Sequence, residues 1–258
     1  MIDPCSLFDL TGKTALITGS NRGLGNYFAE GLLRAGANVV MHGRDKKKVN
    51  QAAAEMTQRV GKEVATCVFD VTDANAVHRE LDRLVEERGV PDILVNNAGI
   101  QERHPIHEFP AEQFAKVIET NLISAFNVSQ PLAAHMVKQG RGKIIMIGSV
   151  QSKLARQTIA PYSAAKGGLA LLAQGMAADL ARHNIQVNVL SPGYFQTQMN
   201  QALVEDKKFS AWLCQRTPAQ RWGQPEELIG TLVYLASDAS SFVNGQNIVV
   251  DGGITSIV

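Results

Sequence analysis

The chain has 258 residues, with 25 Lys plus Arg against 24 Asp plus Glu and a formal net charge of +1. Hydrophobic residues make up 45% of it, enough for a full core in one large domain or two small ones. The charge balance excludes a field that would draw nucleic acid or an anionic membrane, and no apolar stretch approaches the ~18 residues of a membrane span.

The N-terminal MIDPCSLFDL holds acids but no Lys or Arg, which predicts no signal peptide. Cys5, Cys67 and Cys214 are an odd, scattered set. They predict free thiols and a reducing, cytoplasmic setting. Short β-branched runs then recur at 14–18 (TALIT), 38–42 (NVVMH), 64–69 (VATCVF), 92–96 (DILVN), 143–147 (KIIMI), 185–190 (IQVNVL) and 247–251 (NIVVD). Each is apolar on both alternating faces, the pattern of a strand buried on two sides. Helical stretches such as 27–35, 47–58 and 74–88 lie between them. The alternation predicts a doubly wound α/β fold, a parallel sheet with helices on both faces. One segment, 194–222, breaks the rhythm and holds Trp212, Trp222, Tyr194, Phe195, Met199 and Phe209. An excursion of that length predicts a lid or binding loop, or a helical hairpin that only covers the sheet.

The first run leads into Thr18, Gly19, Ser20, Asn21, Arg22, Gly23, Leu24 and Gly25. A glycine-rich turn between a strand and a helix lets the backbone approach a pyrophosphate, and the helix N-terminus offers free N–H groups. Arg44 follows about 20 residues later, where such folds read the ribose 2′ position. An acid there favours NAD(H); an arginine favours the 2′-phosphate of NADP(H), with Arg22 as a second charge. NADP(H) is therefore the favoured cofactor and NAD(H) remains possible. Asp70, followed by Val71, can accept from an adenine amino group or cap the next helix.

Pro161-Tyr162-Ser163-Ala164-Ala165-Lys166 opens a further helix. Tyr162 and Lys166 are one turn apart and share a face. The lysine cation should lower the tyrosine pKa from ~10, making Tyr162 a proton donor and acceptor. Ser149, past the fifth run, can hold a carbonyl oxygen beside it. Asn96-Asn97-Ala98-Gly99 ends the fourth run, so every motif falls at the carboxyl end of a strand, where open α/β sheets bind ligands.

TGSNRGLG, Asp70, NNAG, Asn121, Ser149, YSAAK and Pro192-Gly193 together resemble the short-chain dehydrogenase/reductase family over nearly the whole chain. The resemblance implies a seven-stranded Rossmann-type sheet in a single domain and hydride transfer at a nicotinamide. It makes Tyr162 the general acid/base and Ser149 the partner of the reacting oxygen. Lys166 would bind the nicotinamide ribose, and Asn121 would hold a water in a proton relay. Asn97, Ala98, Gly99, Val71, Pro192, Gly193 and Thr197 would line the cofactor. It also implies a homotetramer. The segments 98–110, 149–162, 192–195 and 202–223 are most similar to the gluconate 5-dehydrogenases of that family, implying D-gluconate and 5-keto-D-gluconate as substrates.

A sugar acid needs a cation at one end and hydrogen-bonding groups along its chain. Gln151 and Tyr194 suit the hydroxyls, and Arg103 and Arg156 suit the carboxylate, because arginine can grip it with two parallel bonds. The alternatives are a 3-oxoacyl thioester reductase, another sugar or polyol dehydrogenase, or a non-catalytic nucleotide sensor. His104 and His107 lack the further ligands of a zinc site, so no metal is expected. Cys67 should pack as a small hydrophobe. The helix after Tyr162 is apolar nearly all round, through Leu169, Leu171, Leu172, Met176 and Leu180, and predicts either a subunit interface or a core helix. The apolar residues 254–258 could cover another interface.

Overall fold

The computed structural model describes residues 3–257. Seven strands form one sheet in the order β3-β2-β1-β4-β5-β6-β7. They are β1 (Thr14–Ile17), β2 (Asn38–Gly43), β3 (Ala65–Val68), β4 (Ile93–Asn96), β5 (Gly142–Ile147), β6 (Ile185–Pro192) and β7 (Asn247–Val250). Every neighbouring pair is parallel. Parallel pairs need crossovers, and helices supply them. The chain runs outward from β1 to β3, then returns to β4 beside β1. That reversal opens a crevice at the carboxyl ends of the strands.

The pleat explains the layers. Ala15 and Ile17 of β1 join Phe28, Leu32, Met41 and Leu232 in one core. Leu16, between them, joins Val40, Leu94, Leu132 and Met136 in the other. Both faces of the sheet are thus covered, as the unbroken apolar runs require. Among the described residues no helix is long and apolar enough to cross a membrane.

Local chemistry sets the helix ends. Helix α1 (Gly23–Arg34) begins earlier than its apolar pattern, because Gly23, Leu24 and Gly25 form its first turn. Arg22 offers no side-chain cap there, which leaves the N–H groups of that turn free. Helix α2 (Lys46–Val60) is capped by Asp45 and closed by Gly61 at φ +74°. Helix α3 (Ala74–Arg88) is capped by Asp73, which accepts from the Ala76 N–H. Asp70 is therefore not the cap. Helix α4 (Ala111–Ile118) continues through a π-helical turn, Glu119–Ile123, into α5 (Ser124–Gln139). Strand β6 runs two residues past its apolar run because Ser191 and Pro192 pair with Val249 and Val250.

Helix α6 (Ala160–Leu180) buries Leu169, Ala173 and Ala177, while Leu171 is 68% exposed. Beyond β6 lie two short helices, α7 (Gln201–Glu205) and α8 (Lys207–Arg216), then α9 (Ile229–Ala236). Leu213 and Trp222 pack with Val150 and Ile254 in a third cluster. Ile254 is thus buried within its own chain rather than across an interface. Ile257 is exposed, and Val258, with Met1 and Ile2, lies outside the described residues.

Candidate active site

A cleft of about 780 Å³ lies along the carboxyl ends of the strands. Gly19, Asn21, Arg22, Gly23, Leu24, Arg44, Asp70, Val71, Asn97, Ala98 and Gly99 line one part of it. Asn121, Ser149, Gln151, Arg156, Tyr162, Lys166, Pro192, Gly193, Tyr194 and Thr197 line the rest. Two residues singled out in the sequence, Gly25 and Arg103, stand outside the lining. Gln101, Glu102, Lys116, Glu119 and Thr120 also line it. No motif marks them, because loop and helix positions that merely face a cleft carry no spacing signal.

The glycine turn is shaped by close approach. Gly19 has φ +63°, and a Cβ there would sit 3.0 Å from the Ala98 Cα. A Cβ on Gly25 would meet the Asn97 Nδ2 at 2.5 Å and the Gly19 carbonyl at 2.6 Å. Gly25 thus acts from behind the cradle. The turn is tied across to β4: Asn97 Nδ2 donates to the Thr18 and Gly19 carbonyls at 2.9 and 3.1 Å. The backbone N–H groups of Asn97 and Ala98 both donate to Thr18 Oγ1 at 3.0 Å.

At one end of the cleft, Arg44 Nη1 stands 3.9 Å from Asp70 Oδ2, and the Arg44 side chain is 80% exposed. Asp70 Oδ1 accepts from the Thr72 N–H and hydroxyl at 2.9 and 2.7 Å, and the backbone bond leads in holding this carboxyl below its usual range. The far oxygen remains available to a donor in the cleft.

At the other end Ser149 follows β5 and Tyr162 opens α6. Burial pushes the Tyr162 phenol up; the Ser149 hydroxyl and, more weakly, Arg156 oppose it. Lys166 is fully enclosed, and burial alone pulls it down to about 8. Its Nζ stands 5.6 Å from the Tyr162 ring centroid and donates to the Ile147 carbonyl at 2.6 Å. The expected lowering of the tyrosine by the lysine is therefore not what prevails. The ammonium is turned to a backbone carbonyl, and desolvation of the phenolate dominates. Asn121, in the π-helical turn, donates through Nδ2 to the Ile100 and Val117 carbonyls at 2.9 and 2.8 Å. Its Oδ1 accepts from the Ile100 N–H at 3.2 Å, so the backbone holds its amide in place while one acceptor site of that oxygen stays open. Such turns interrupt helices at functional sites.

Two guanidinium groups flank this end. Arg156 lies with Cζ 5.6 Å from the Phe209 ring centroid, and its buried Nε has no partner. Arg103 donates to the Gln101 amide oxygen at 3.1 and 2.8 Å. Burial, then the neighbouring Arg156, hold Arg103 below the usual range. Neither arginine has a carboxylate partner among the described residues. Gln151 adds a buried Oε1 without a partner, while its Nε2 reaches the Tyr194 hydroxyl at 3.5 Å.

The remaining reactive side chains are accounted for locally. Cys67 is buried, and burial pushes its thiol up to about 11, which leaves it inert. His104 pairs with Gln113 at 2.7 Å and His107 with Glu108 at 3.2 Å.

Comparison with known proteins places this architecture. The family model described as enoyl-(acyl carrier protein) reductase matches residues 19–255. A gluconate 5-dehydrogenase of Gluconobacter oxydans is 51% identical over 249 residues, covering 96% of this chain and 97% of that one. A 2-dehydro-3-deoxy-D-gluconate 5-dehydrogenase of Formosa agariphila is 41% identical over 254 residues, covering 98% and 96%. The crystal structure of a gluconate 5-dehydrogenase from Burkholderia cenocepacia in complex with NADP and tartrate superposes with a TM-score of 0.97, at 50% identity and 99% and 100% coverage. The chain belongs to the short-chain dehydrogenase/reductase family of oxidoreductases.

Proposed function

We propose that the chain interconverts D-gluconate and 5-keto-D-gluconate with NADP(H). The observation that carries the substrate class is Arg156, a half-buried cation in the cleft whose buried Nε has no partner, with the partly buried Arg103 near it and no carboxylate paired to either. Holding like charges together under burial is unfavourable unless an anion completes the site. Arg156, in the cleft wall, takes the substrate carboxylate; Arg103, its neighbour outside the lining, adds positive charge. Gln151 and Tyr194 offer hydrogen bonds to hydroxyls. The tartrate in the Burkholderia relative, a hydroxylated carboxylate, supports this reading.

The cradle fits a dinucleotide. The Cβ-free approach at Gly19 and Gly25 and the uncapped start of α1 suit a pyrophosphate. Arg22 and Arg44 favour a 2′-phosphate, as do relatives with NADP bound, and NAD(H) would meet the same pocket with fewer charges. Asp70 is offered to the adenine amino group. Asn97, Ala98, Gly99, Val71, Pro192, Gly193 and Thr197 form the remaining wall. The nicotinamide, when bound, supplies or accepts the hydride.

In the reducing direction Ser149 donates to the carbonyl oxygen and Tyr162 transfers its proton to the alkoxide as it forms. A phenol held high by burial stays protonated at neutral pH, which suits that role. In oxidation the same oxygen must take the proton back, and Lys166, with Nζ 5.6 Å from the Tyr162 ring centroid, is the cation offered to the phenolate. Asn121 acts through the backbone it braces, alongside any water that relays the proton. The segment 194–222 closes over the substrate and excludes water. Its inner edge, Tyr194, Thr197 and Leu203, already lines the cleft.

A 2-dehydro-3-deoxy sugar acid is the second substrate reading, favoured by the Formosa relative. Rates with 5-ketogluconate, that sugar acid, an acetoacetyl thioester and simple polyols separate them; turnover of the thioester alone would overturn the sugar-acid reading. Tyr162→Phe should lower kcat by about 10²–10⁴-fold and leave NADPH binding intact. Arg156→Met should raise the KM for 5-ketogluconate by roughly tenfold or more without changing that for NADPH, the loss expected for a charge-assisted hydrogen bond. Arg44→Asp should shift the NADP/NAD preference toward NAD by about tenfold or more, and an unchanged ratio would remove Arg44 as the reader. The chain further assembles as a homotetramer, supported by exposed Leu171 on α6 and Phe126 on α5. Sedimentation should give four copies, and a monomer would refute it.

A further inference from the structure

One backbone donor of the glycine turn is already engaged. The Gly19 N–H donates to Nδ1 of His42 at 3.0 Å. On the same ring, Nε2 pairs with the Phe69 carbonyl at 3.0 Å. One imidazole thus joins the chain just past β1, the end of β2 and the chain just past β3. The residue is 3% exposed, and its ring lies on Phe69 with centroids 4.0 Å apart. Its backbone repeats the tie: the Ser20 N–H donates to the His42 carbonyl, and the His42 N–H to Ser20 Oγ, each at 2.9 Å. His42 also lines the cleft.

The ring can serve in one protonation state and one tautomer. Nδ1 must be bare to accept from Gly19, so Nε2 carries the proton that Phe69 receives. A cationic ring would set N–H against N–H. Burial opposes that cation and pulls His42 down to about 4, although the Phe69 carbonyl and the Asp70 charge favour it. The bond matters because of what it holds. A glycine at φ +63° has an unusually wide choice of conformations, and nothing in its own side chain selects one. A fixed acceptor on its N–H selects the one that aims the following turn at the cleft.

We propose that His42 is a positioning residue for the nucleotide: as a neutral, Nε2-protonated imidazole it fixes the Gly19 peptide and with it the free N–H groups at the start of α1. This rests on the nucleotide-binding reading above. It also leaves positive charge at this end of the cleft to Arg22 and Arg44, since the ring supplies none.

The test compares His42→Leu with His42→Asn, whose amide oxygen can accept from the Gly19 N–H. The leucine variant should raise the NADPH Kd by about tenfold or more, as expected for a buried donor left unpaired, with the loss falling on NADPH affinity rather than on kcat at saturation. The asparagine variant should recover most of that affinity. Nitrogen-15 NMR of the histidine-labelled wild-type protein should show one ring protonated at Nε2 alone and resisting protonation well below the ordinary value of about 6.5. The NMR arm needs no variant and decides the matter if His42→Leu does not fold. Equal affinity losses in the two variants, wild-type affinity in His42→Leu, or an Nδ1-protonated ring would each overturn the proposal. Failure of the wild-type protein to bind NADPH would instead overturn the nucleotide reading beneath it.

Discussion

Between β1 and β4 the crossovers leave in opposite directions, and Thr18 and Asn97 hold together the gap that opens there. Thr18 Oγ1 takes two backbone donors from the β4 side, and the Asn97 amide returns two bonds to the β1 side. The clasp has little tolerance. Gly25 packs against that same amide, so the first turn of α1 comes to rest on it. The glycine cradle, the wall at Ala98 and Gly99, and the packing of Gly99 on Asn121 all take their positions from this one crossing. A side chain lost there would loosen two strand ends and a helix start together, because its bonds cluster at one crossing beside the Thr18 N–H bond to the Val95 carbonyl at 3.0 Å.

The second constraint is charge held without a partner. A chain with net charge +1 creates no long-range pull on anions, so recognition must come from a few cations in low-dielectric surroundings. Arg44, mostly exposed, is strongly screened and acts only on a group that touches it. Arg156 is different. It is partly withdrawn from water, lies on the Phe209 ring and keeps a buried donor unpaired. Phe209 belongs to α8, so the excursion beyond β6 meets this cleft-lining cation directly. A cation of the cleft and the excursion are therefore joined through one side chain within a single domain.

The sheet was legible because strands covered on two faces are mostly apolar on both, and seven short runs of that kind stand out from the amphipathic helices, although β6 also buries Gln186 and Asn188. Element ends were less so. The glycines of α1 conceal a helix start, since the residues that suit a backbone-ligand contact are poor helix formers. Pro192 extends β6 although it lacks an N–H, because at a strand end only its carbonyl and neighbours need pair. Motif residues such as Ser149, Tyr162 and Lys166 were legible by spacing. Arg103 was legible as a cation, but not as one outside the cleft lining and bound to Gln101. The role of His42 left no mark in the sequence: an isolated histidine at a strand end acquires meaning only when a donor and an acceptor from other segments meet its two nitrogens.

The electrostatics of Tyr162 and Lys166 show the same dependence on three-dimensional context. Their spacing alone predicts a lysine that draws the phenol toward ionisation. Enclosure instead works against the charged form of both, raising one group and lowering the other, so each becomes easier to hold neutral. The shifts reverse the order of the two groups and widen the interval between them: the lysine falls to about 8 while the phenol moves above its ordinary value. A pair in that condition responds strongly to whatever charge enters the cleft. A carboxylate brought in by Arg156 would penalise phenolate and keep the proton on Tyr162 until the reacting oxygen develops charge. In the proposed reaction Arg156 would therefore also help determine when the proton moves.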